Sequence, residues 1–445
     1  MNLRLPWLNS RIYLLIFSLF DSIIYFFGYN FYFQTKYENS FLISFGVIIH
    51  LIISYTCGRY IVERKLNKFN ILKVLINRSF VFILVFILLI SILRGFTIFQ
   101  DIYYEFIKFI ILNVLISSVF IYFSQIIIFR EQSKTKRWLY LGLKEDFFLL
   151  SNFIKNTTSL IELDYLDKNF NQEIEKNIQE FYSGLIIGNL SNLNEEEKSC
   201  ICEYKYRGLN IITNLHFSID ELQSIPSFIL NNDEILRDSF FVDINSIGMR
   251  IKRLGDFILS IILLIVTAPI LIISVILIKL EDFGPVFYSQ IRNGYKGIPF
   301  TIWKLRTMRV NSESNGAEWA KRSDPRITKI GFFLRKMRID ELPQLVAVIT
   351  GKMSLIGPRP ERPEFDSILE KEIKNYKLRY LLKPGLSGWS QVNYPYGASV
   401  KDSSMKLSFD LYYLQNFSNL LDILILFKTI KLVFNLKGSS PKNIK

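Results

Sequence analysis

Four apolar runs fill the first 130 positions of the chain, at 12–29, 41–57, 79–93 and 109–129. A helix crossing a bilayer needs about 20 apolar residues, with roughly 17 to 25 usual. The pattern therefore predicts a four-helix transmembrane bundle over residues 1–130. The third run is short, and Arg78 and Arg94 at its borders are placed to snorkel to the two interfaces. From residue 138 the pattern changes to short apolar runs alternating with polar helical stretches. Runs at 138–143, 160–163, 184–190 and 209–215 predict strands, and 145–155, 171–181, 195–206 and 219–230 predict helices. This alternation predicts a Rossmann-like α/β domain over 138–245 around a small parallel sheet. Its first strand runs into Gly142-Leu143-Lys144-Glu145 with no G-x-G-x-x-G, so the backbone cradle for a pyrophosphate is missing. A structural or regulatory module is the favoured reading.

A further run, 257–278, carries no charge and is long enough to span. Pro269 sits at its centre, and a proline both removes a helix hydrogen bond and clashes with the preceding turn, so a break is expected at Ala268-Pro269. Lys252 and Arg253 precede the run; Lys279, Arg292, Lys296, Lys304, Arg306 and Arg309 follow it. Basic residues on both flanks conflict with a single crossing. A re-entrant helix over 251–279, entering and leaving on one side, satisfies both observations. The alternative is a fifth span that places 280–445 outside. The run 420–436, interrupted by Lys428 and Lys431, reads equally as an interfacial helix or a core helix.

Composition narrows the class. Half of the 445 residues are hydrophobic and 21% are charged, which excludes general disorder. The formal net charge of +14 favours anionic partners: phospholipid, phosphorylated substrates or nucleic acid. Much of that charge flanks membrane segments, where anionic lipid explains it, so no nucleic acid is expected. Arg59, Arg64, Lys65, Lys68, Lys73 and Arg78 lie between the second and third runs, and Arg130, Lys134, Lys136 and Arg137 follow the fourth. These positions put both ends of the bundle in the cytoplasm. Asp21 and His50 fall inside spans, either as an ion path or as a bundle-facing pair; without a chain of further polar residues the pair is favoured. Cys57, Cys200 and Cys202 make neither a disulfide framework nor a zinc site. The only histidines are His50 and His216, so chemistry in the last half must use carboxylates, lysines and arginines, with any metal on oxygen ligands.

That last half carries the candidate chemistry. Asp340-Glu341 precedes an apolar stretch at 345–349, with Pro343 in the first turn, which sets two carboxylates at a helix N-terminus. A carboxylate kept ionised there can attack a phosphoryl group while its neighbour holds Mg²⁺. Alternatively Asp340 is merely the N-cap. Arg306, Arg326, Arg335, Arg338 and Arg359 flank Gly or Pro turns or the dyad itself, and planar guanidinium forks on rigid turns suit phosphate. Gly357-Pro358-Arg359-Pro360 is a stiff turn presenting one such fork.

Seven short motifs occur in order between residues 281 and 391, among them Lys304-Leu305-Arg306-Thr307-Met308, Ile339-Asp340-Glu341-Leu342-Pro343-Gln344, Gly357-Pro358-Arg359-Pro360 and Pro384-Gly385-Leu386-Ser387-Gly388-Trp389. In these the chain resembles the bacterial polyprenyl-phosphate sugar-1-phosphate transferases, the initiating enzymes of exopolysaccharide and O-antigen synthesis. The resemblance covers about 248–440, and the α-rich catalytic domain is expected over 248–445. It implies transfer of a hexose 1-phosphate from a UDP-sugar to undecaprenyl phosphate at the bacterial inner membrane, with Mg²⁺ and a covalent phosphosugar–aspartate intermediate. On that pattern Asp340 is the nucleophile and Glu341 the metal ligand. Lys304, Arg306, Arg326, Arg335, Arg338, Gln344 and Arg359 form the substrate-binding set. Membrane lipid and a second copy of the chain are the remaining expected partners. The chain departs from the family where Ala347 and Lys352 stand in place of the usual Asn and Asp. The competing class is a ligand-sensing membrane scaffold without catalysis, which the missing glycine cradle disfavours.

Overall fold

The structure, a computed structural model, describes residues 6–9, 11–33, 40–62, 68–93, 103–132, 135–157, 160–166, 181–189, 193–237, 246–310, 324–395, 397 and 399–434. Two compact units emerge: one of the N-terminal helices up to Trp138 with two short later segments, the other of the remainder.

In the first unit the apolar runs form α1 (Ile12–Phe33), α2 (Ser40–Thr56), α3 (Lys68–Leu93) and α4 (Tyr103–Gln132). Each helix packs on its chain neighbour and α4 closes back on α1. Aromatic side chains fill the interior, with Tyr25, Phe82, Phe86 and Phe109 buried. Leu19, Phe27, Leu88 and Phe123 stay exposed on the outside, as expected of helices that are apolar all round. The short third run lies inside a 26-residue helix, in which Arg78 donates to the Ile61 carbonyl at 3.4 Å; Arg94 falls outside the described residues. Asp21 and His50 do face one another, 3.4 Å apart and fully buried. Their company differs from expectation. Arg59, assigned by sequence to a basic loop, turns into the bundle and pairs with Asp21 at 3.2 Å. Ser54 and Ser117 also accept hydrogen bonds from its guanidinium, because a buried charge must be fully partnered.

The small sheet has the order β2-β1-β3-β4, from β1 (Lys136–Leu141), β2 (Ile161–Tyr165), β3 (Gly184–Ile187) and β4 (Ile211–Thr213). β3 and β4 are parallel, Leu185 opposite Ile211. Around it, α5 (Lys144–Thr157) and α6 (Glu195–Tyr206) lie close to their expected limits. Asn194 and Glu197 form a capping box at the start of α6. The helix expected at 171–181 lies outside the described residues, apart from Phe181. The helix expected at 219–230 is not formed. One helical turn at Asn214–Phe217 and a wide turn at Ser218–Leu222 end at Gln223, whose φ is +53°. Pro226 cannot donate into a helix, and the backbone bonds elsewhere: the Ile225 N–H donates to the Ser408 carbonyl at 2.8 Å. Tertiary pairing has overridden a helical spacing of apolar residues.

The 36-residue α7 (Ile247–Asp282) is capped by Ser246 and runs about 54 Å if straight, at 1.5 Å per residue. The break expected at Ala268-Pro269 is absent as an interruption: Pro269 sits inside one continuous element. A proline forfeits a single hydrogen bond, and apolar helices tolerate that loss. Only Asp256, Ser260, Ser274 and Ile278 of α7 are buried. By length and composition Ile12–Phe31, Lys68–Ile92, Tyr104–Ile127 and Ile247–Asp282 can each cross a membrane, and α2 is shorter.

After α7 come the antiparallel hairpin β5 (Phe287–Asn293) and β6 (Pro299–Leu305), α8 (Lys329–Lys336), a 3₁₀ turn at Ile339–Gln344 and α9 (Leu345–Ile349). β7 (Ser354–Ile356) then pairs in parallel with β8 (Gly385–Ser387), with α10 (Pro363–Glu372) between them. The last described elements are α11 (Trp389–Asn393), α12 (Val400–Gln415) and α13 (Asn419–Phe434). One face of α13 meets the core reading of its sequence. Leu421 and Ile425 are in the core while Leu420 and Ile423 remain exposed. Lys428 is tied to Asn393 at 2.6 Å, over the ring of Trp389.

Candidate active site

The dyad is placed by a reversal of the chain. Thr328 caps the start of α8, accepting from the Gly331 N–H at 2.9 Å. At the end of that helix Arg338 adopts φ +60°, uncommon for a residue with a side chain. The following 3₁₀ turn, with Pro343 inside it, carries Asp340 and Glu341 into the domain, where both are buried. Asp340 is not a helix cap. The cap position belongs to Arg338, which makes no capping side-chain bond.

Glu341 is the hub of the cations. Its carboxylate accepts from Arg359 at 2.6 Å and from Lys304 at 3.0 Å, with Arg338 at 3.6 Å. Lys304 reaches it from β6, where it stands opposite Tyr288 in the hairpin register. Burial acts to raise the Glu341 pKa, and Arg359, Lys304 and Arg338 together outweigh it, holding the group well below the usual carboxylate range. Asp340 is pushed the other way. Burial first, then the Glu341 charge beside it, raise its pKa, against the pull of Lys304, Arg335 and Arg338. Sequence alone, through the helix dipole, favoured ionisation; desolvation reverses the sign. Asp340 Oδ1 is buried without a hydrogen-bond partner among the described residues, as is Gln344 Nε2 one turn on. Burial also lowers the Lys304 pKa, with Glu341 opposing.

Of the expected binding set, Lys304, Arg338 and Arg359 converge on the dyad, and Arg335 acts on Asp340 through its charge. Two do not join them. Arg306 is pinned to Asp282 at the end of α7. Arg326 braces its own turn, with its side chain on Asp324 at 2.6 Å. Each is held by an acidic partner of its own.

Several positioning groups escaped the sequence reading. The Arg253 guanidinium donates to the carbonyls of Val348 and Ile349 at 2.6 and 2.7 Å, capping the end of α9. Asp256 accepts from the Ser354 hydroxyl and the Leu355 N–H. Lys252 pairs with Asp422 at 2.6 Å. The signal available in the sequence is Lys252 and Arg253 at the border of an apolar run, where basic residues also mark topology. Arg379 is a second omission, five positions before the Pro384-Gly385 turn.

Together these features define a class: a membrane-attached domain with one buried carboxylate hub ringed by cations and a second, underpartnered carboxylate beside it. Residues 247–436 match the family model described as bacterial sugar transferase. The chain is 45% identical over 183 residues to the UDP-N-acetylgalactosamine-undecaprenyl-phosphate N-acetylgalactosaminephosphotransferase of Aeromonas hydrophila, covering 41% of this chain and 43% of that protein. It is 34% identical over 218 residues to the UDP-glucose:undecaprenyl-phosphate glucose-1-phosphate transferase of Escherichia coli (strain K12), covering 48% and 45%. A protein of the same name from Caulobacter vibrioides is 38% identical over 181 residues, which cover 40% of this chain and 68% of the relative. The chain belongs to the bacterial sugar transferase family. It spans less than half the length of the first two of these relatives.

Proposed function

We propose that the protein transfers a sugar 1-phosphate from a UDP-sugar, a hexose donor, to undecaprenyl phosphate and releases UMP, as the first membrane step of a surface-polysaccharide pathway. The observation that carries this reading is the underpartnered, buried Asp340 beside Glu341, within a ring of cations. A carboxylate oxygen of Asp340 attacks the phosphorus that bears the sugar, and the bond from that phosphorus to the UMP oxygen breaks. UMP leaves as an anion and the sugar phosphate stays on Asp340. A phosphate oxygen of the lipid acceptor then attacks the same phosphorus, and the aspartyl oxygen leaves as a carboxylate. Splitting the reaction means the two polyanions never meet directly. Arg359 and Lys304, now on Glu341, turn to the donor's phosphates and offset their charge.

The residues fit Mg²⁺. Among the described residues no group of three or more His, Cys, Asp or Glu forms a ready cage. Such an ion is ordinarily held by one or two carboxylates plus substrate phosphates. Glu341 would hold it, with the free oxygen of Asp340 adjacent, and the bound ion would neutralise charge on the diphosphate.

We read α7 as re-entrant on the cytoplasmic side, its change of direction being a bend at Pro269 within the unbroken helix. Near its start Arg253 and Asp256 bond to α9 and β7, and near its end Ile278 packs with Leu305 and Leu334. Both ends thus hold the same domain, while basic residues flank the run on both sides. The small parallel sheet is consistent with a Rossmann-like module.

The test is intact-protein mass spectrometry after rapid quench, with UDP-sugar and Mg²⁺ but no acceptor. One sugar phosphate of added mass together with UMP release is expected. UMP release with no adduct overturns the covalent route, and no release from any UDP-hexose overturns the reading itself.

A further inference from the structure

The guanidinium of Arg359 reaches the dyad from a turn, and something must hold that turn. Its two strands are clamped: the Gly357 N–H donates to the Ser387 carbonyl and the Gly385 N–H to the Pro358 carbonyl, both at 2.9 Å. The approach is close enough that a Cβ at Gly385 would lie 2.0 Å from the Gly357 nitrogen. Beyond the clamp, the carbonyl of Arg359 itself accepts from Arg379 Nη2 at 2.7 Å. Arg379 is buried, and its guanidinium is held in turn by Asp410 at 3.2 Å and by the Tyr376 hydroxyl. Tyr376 donates to Asp366 at 2.8 Å, and Asn293 at the end of β5 donates to the other oxygen of Asp366 at 2.8 Å. A continuous run of buried polar contacts therefore joins α12, α10 and the hairpin to the backbone of one site arginine.

We propose that Arg379 is a positioning residue: it fixes the backbone of Arg359 so that the Arg359 guanidinium stays aimed at the dyad and at the donor's diphosphate. The inference rests on the proposed function above, since it assigns Arg359 to the donor's phosphates. A charged donor held by Asp410 is rigid in a way a neutral amide is not, and a bidentate fork can satisfy a carbonyl and a carboxylate at once. The same arginine as a purely structural brace would also be buried and partnered. The two roles differ in what they predict for Arg359.

The experiment is steady-state UMP release by the full-length protein in lipid nanodiscs, with donor and acceptor varied separately. Removing Arg379 alone would strand the buried Asp410 charge, so the working variant is Arg379→Met with Asp410→Asn, which removes both charges. Its melting temperature should stay close to wild type while the donor KM rises about tenfold or more, the acceptor KM being unchanged; about tenfold is 1.4 kcal/mol of donor binding. Arg379→Lys, which keeps the charge and one hydrogen bond, should recover part of that loss. The triple variant that also carries Arg359→Ala should lose in total no more than Arg359→Ala alone loses, because both act on one contact. Additive losses, an unchanged donor KM, or a shift in the acceptor KM would overturn the positioning role in an active enzyme. A wild type that releases no UMP from any UDP-hexose would overturn the functional reading, and this inference with it.

Discussion

At the scale of the single residue, the two adjacent carboxylates are driven apart by their surroundings. Asp340 binds its proton more tightly in the folded chain than in the unfolded one, so it contributes an increasing penalty as pH rises from the ordinary aspartate range toward its raised value of about 6. Asp340→Asn should therefore abolish turnover yet raise thermal stability at neutral pH by on the order of 2 kcal/mol, with little gain below about pH 4. Melting curves across that range, beside a UMP assay, check both halves. Loss of stability at neutral pH would show that burial does not dominate at Asp340. Glu341 is the opposite case. Its stabilising contribution is present above the unfolded carboxylate range and is lost as pH falls through its depressed pKa. Glu341→Gln leaves Arg359, Lys304 and Arg338 without their shared anion. It should lower stability by on the order of 2 kcal/mol, less than for a wholly buried pair because Arg359 and Arg338 are part-exposed. The same variant should lose turnover at any Mg²⁺ concentration. Full activity in EDTA would remove the metal from the mechanism.

At the scale of the element, α7 is the informative case. Apolar side chains in its middle, among them Ile265, Val266, Ile272 and Ile273, are exposed among the described residues. Both of its ends nonetheless bind one domain. Single cysteines placed near Lys252 and near Lys296 should be labelled by a membrane-impermeant thiol reagent only when the cytoplasmic face is open. Labelling of the second position in intact cells would instead establish a crossing. The segment after Gln223 shows an element decided by its neighbour. Trp389 Nε1 donates to the Gln223 carbonyl at 3.0 Å, and Asn375 donates to the Leu230 carbonyl at 3.0 Å.

At the scale of the whole molecule, these contacts make the segment after Gln223 part of the catalytic unit even though the family match begins only at residue 247. A chain starting at residue 246 would lose the bonds to Trp389, Asn375 and Ser408 together with the buried side chains of Ile225 and Leu230. Each lost hydrogen bond is worth about 1 kcal/mol and the burial of each lost aliphatic side chain about 2 kcal/mol. The truncated chain should accordingly melt several degrees lower in the same detergent, and scanning fluorimetry reads this directly. An unchanged melting temperature would mean that these contacts add nothing to the unit.

What the sequence determined by itself follows from local and additive physics. The N-terminal helices, α7 and the strands near 138, 184 and 211 are legible because hydrophobic period and run length act on each segment separately. The dyad, Lys304 and Arg359 were legible as residue types in ordered motifs. Tertiary structure alone decided what depends on distance between remote segments. It turned Arg59 from a loop charge into the partner of Asp21, and it gave Arg306 to Asp282 and Arg326 to Asp324 in place of the dyad. It kept Gln223–Leu230 out of a helix, and it brought Arg379 under the Arg359 carbonyl from 20 positions away. It also set the sign at Asp340, because desolvation depends on everything packed around a group and leaves no mark in the residues beside it.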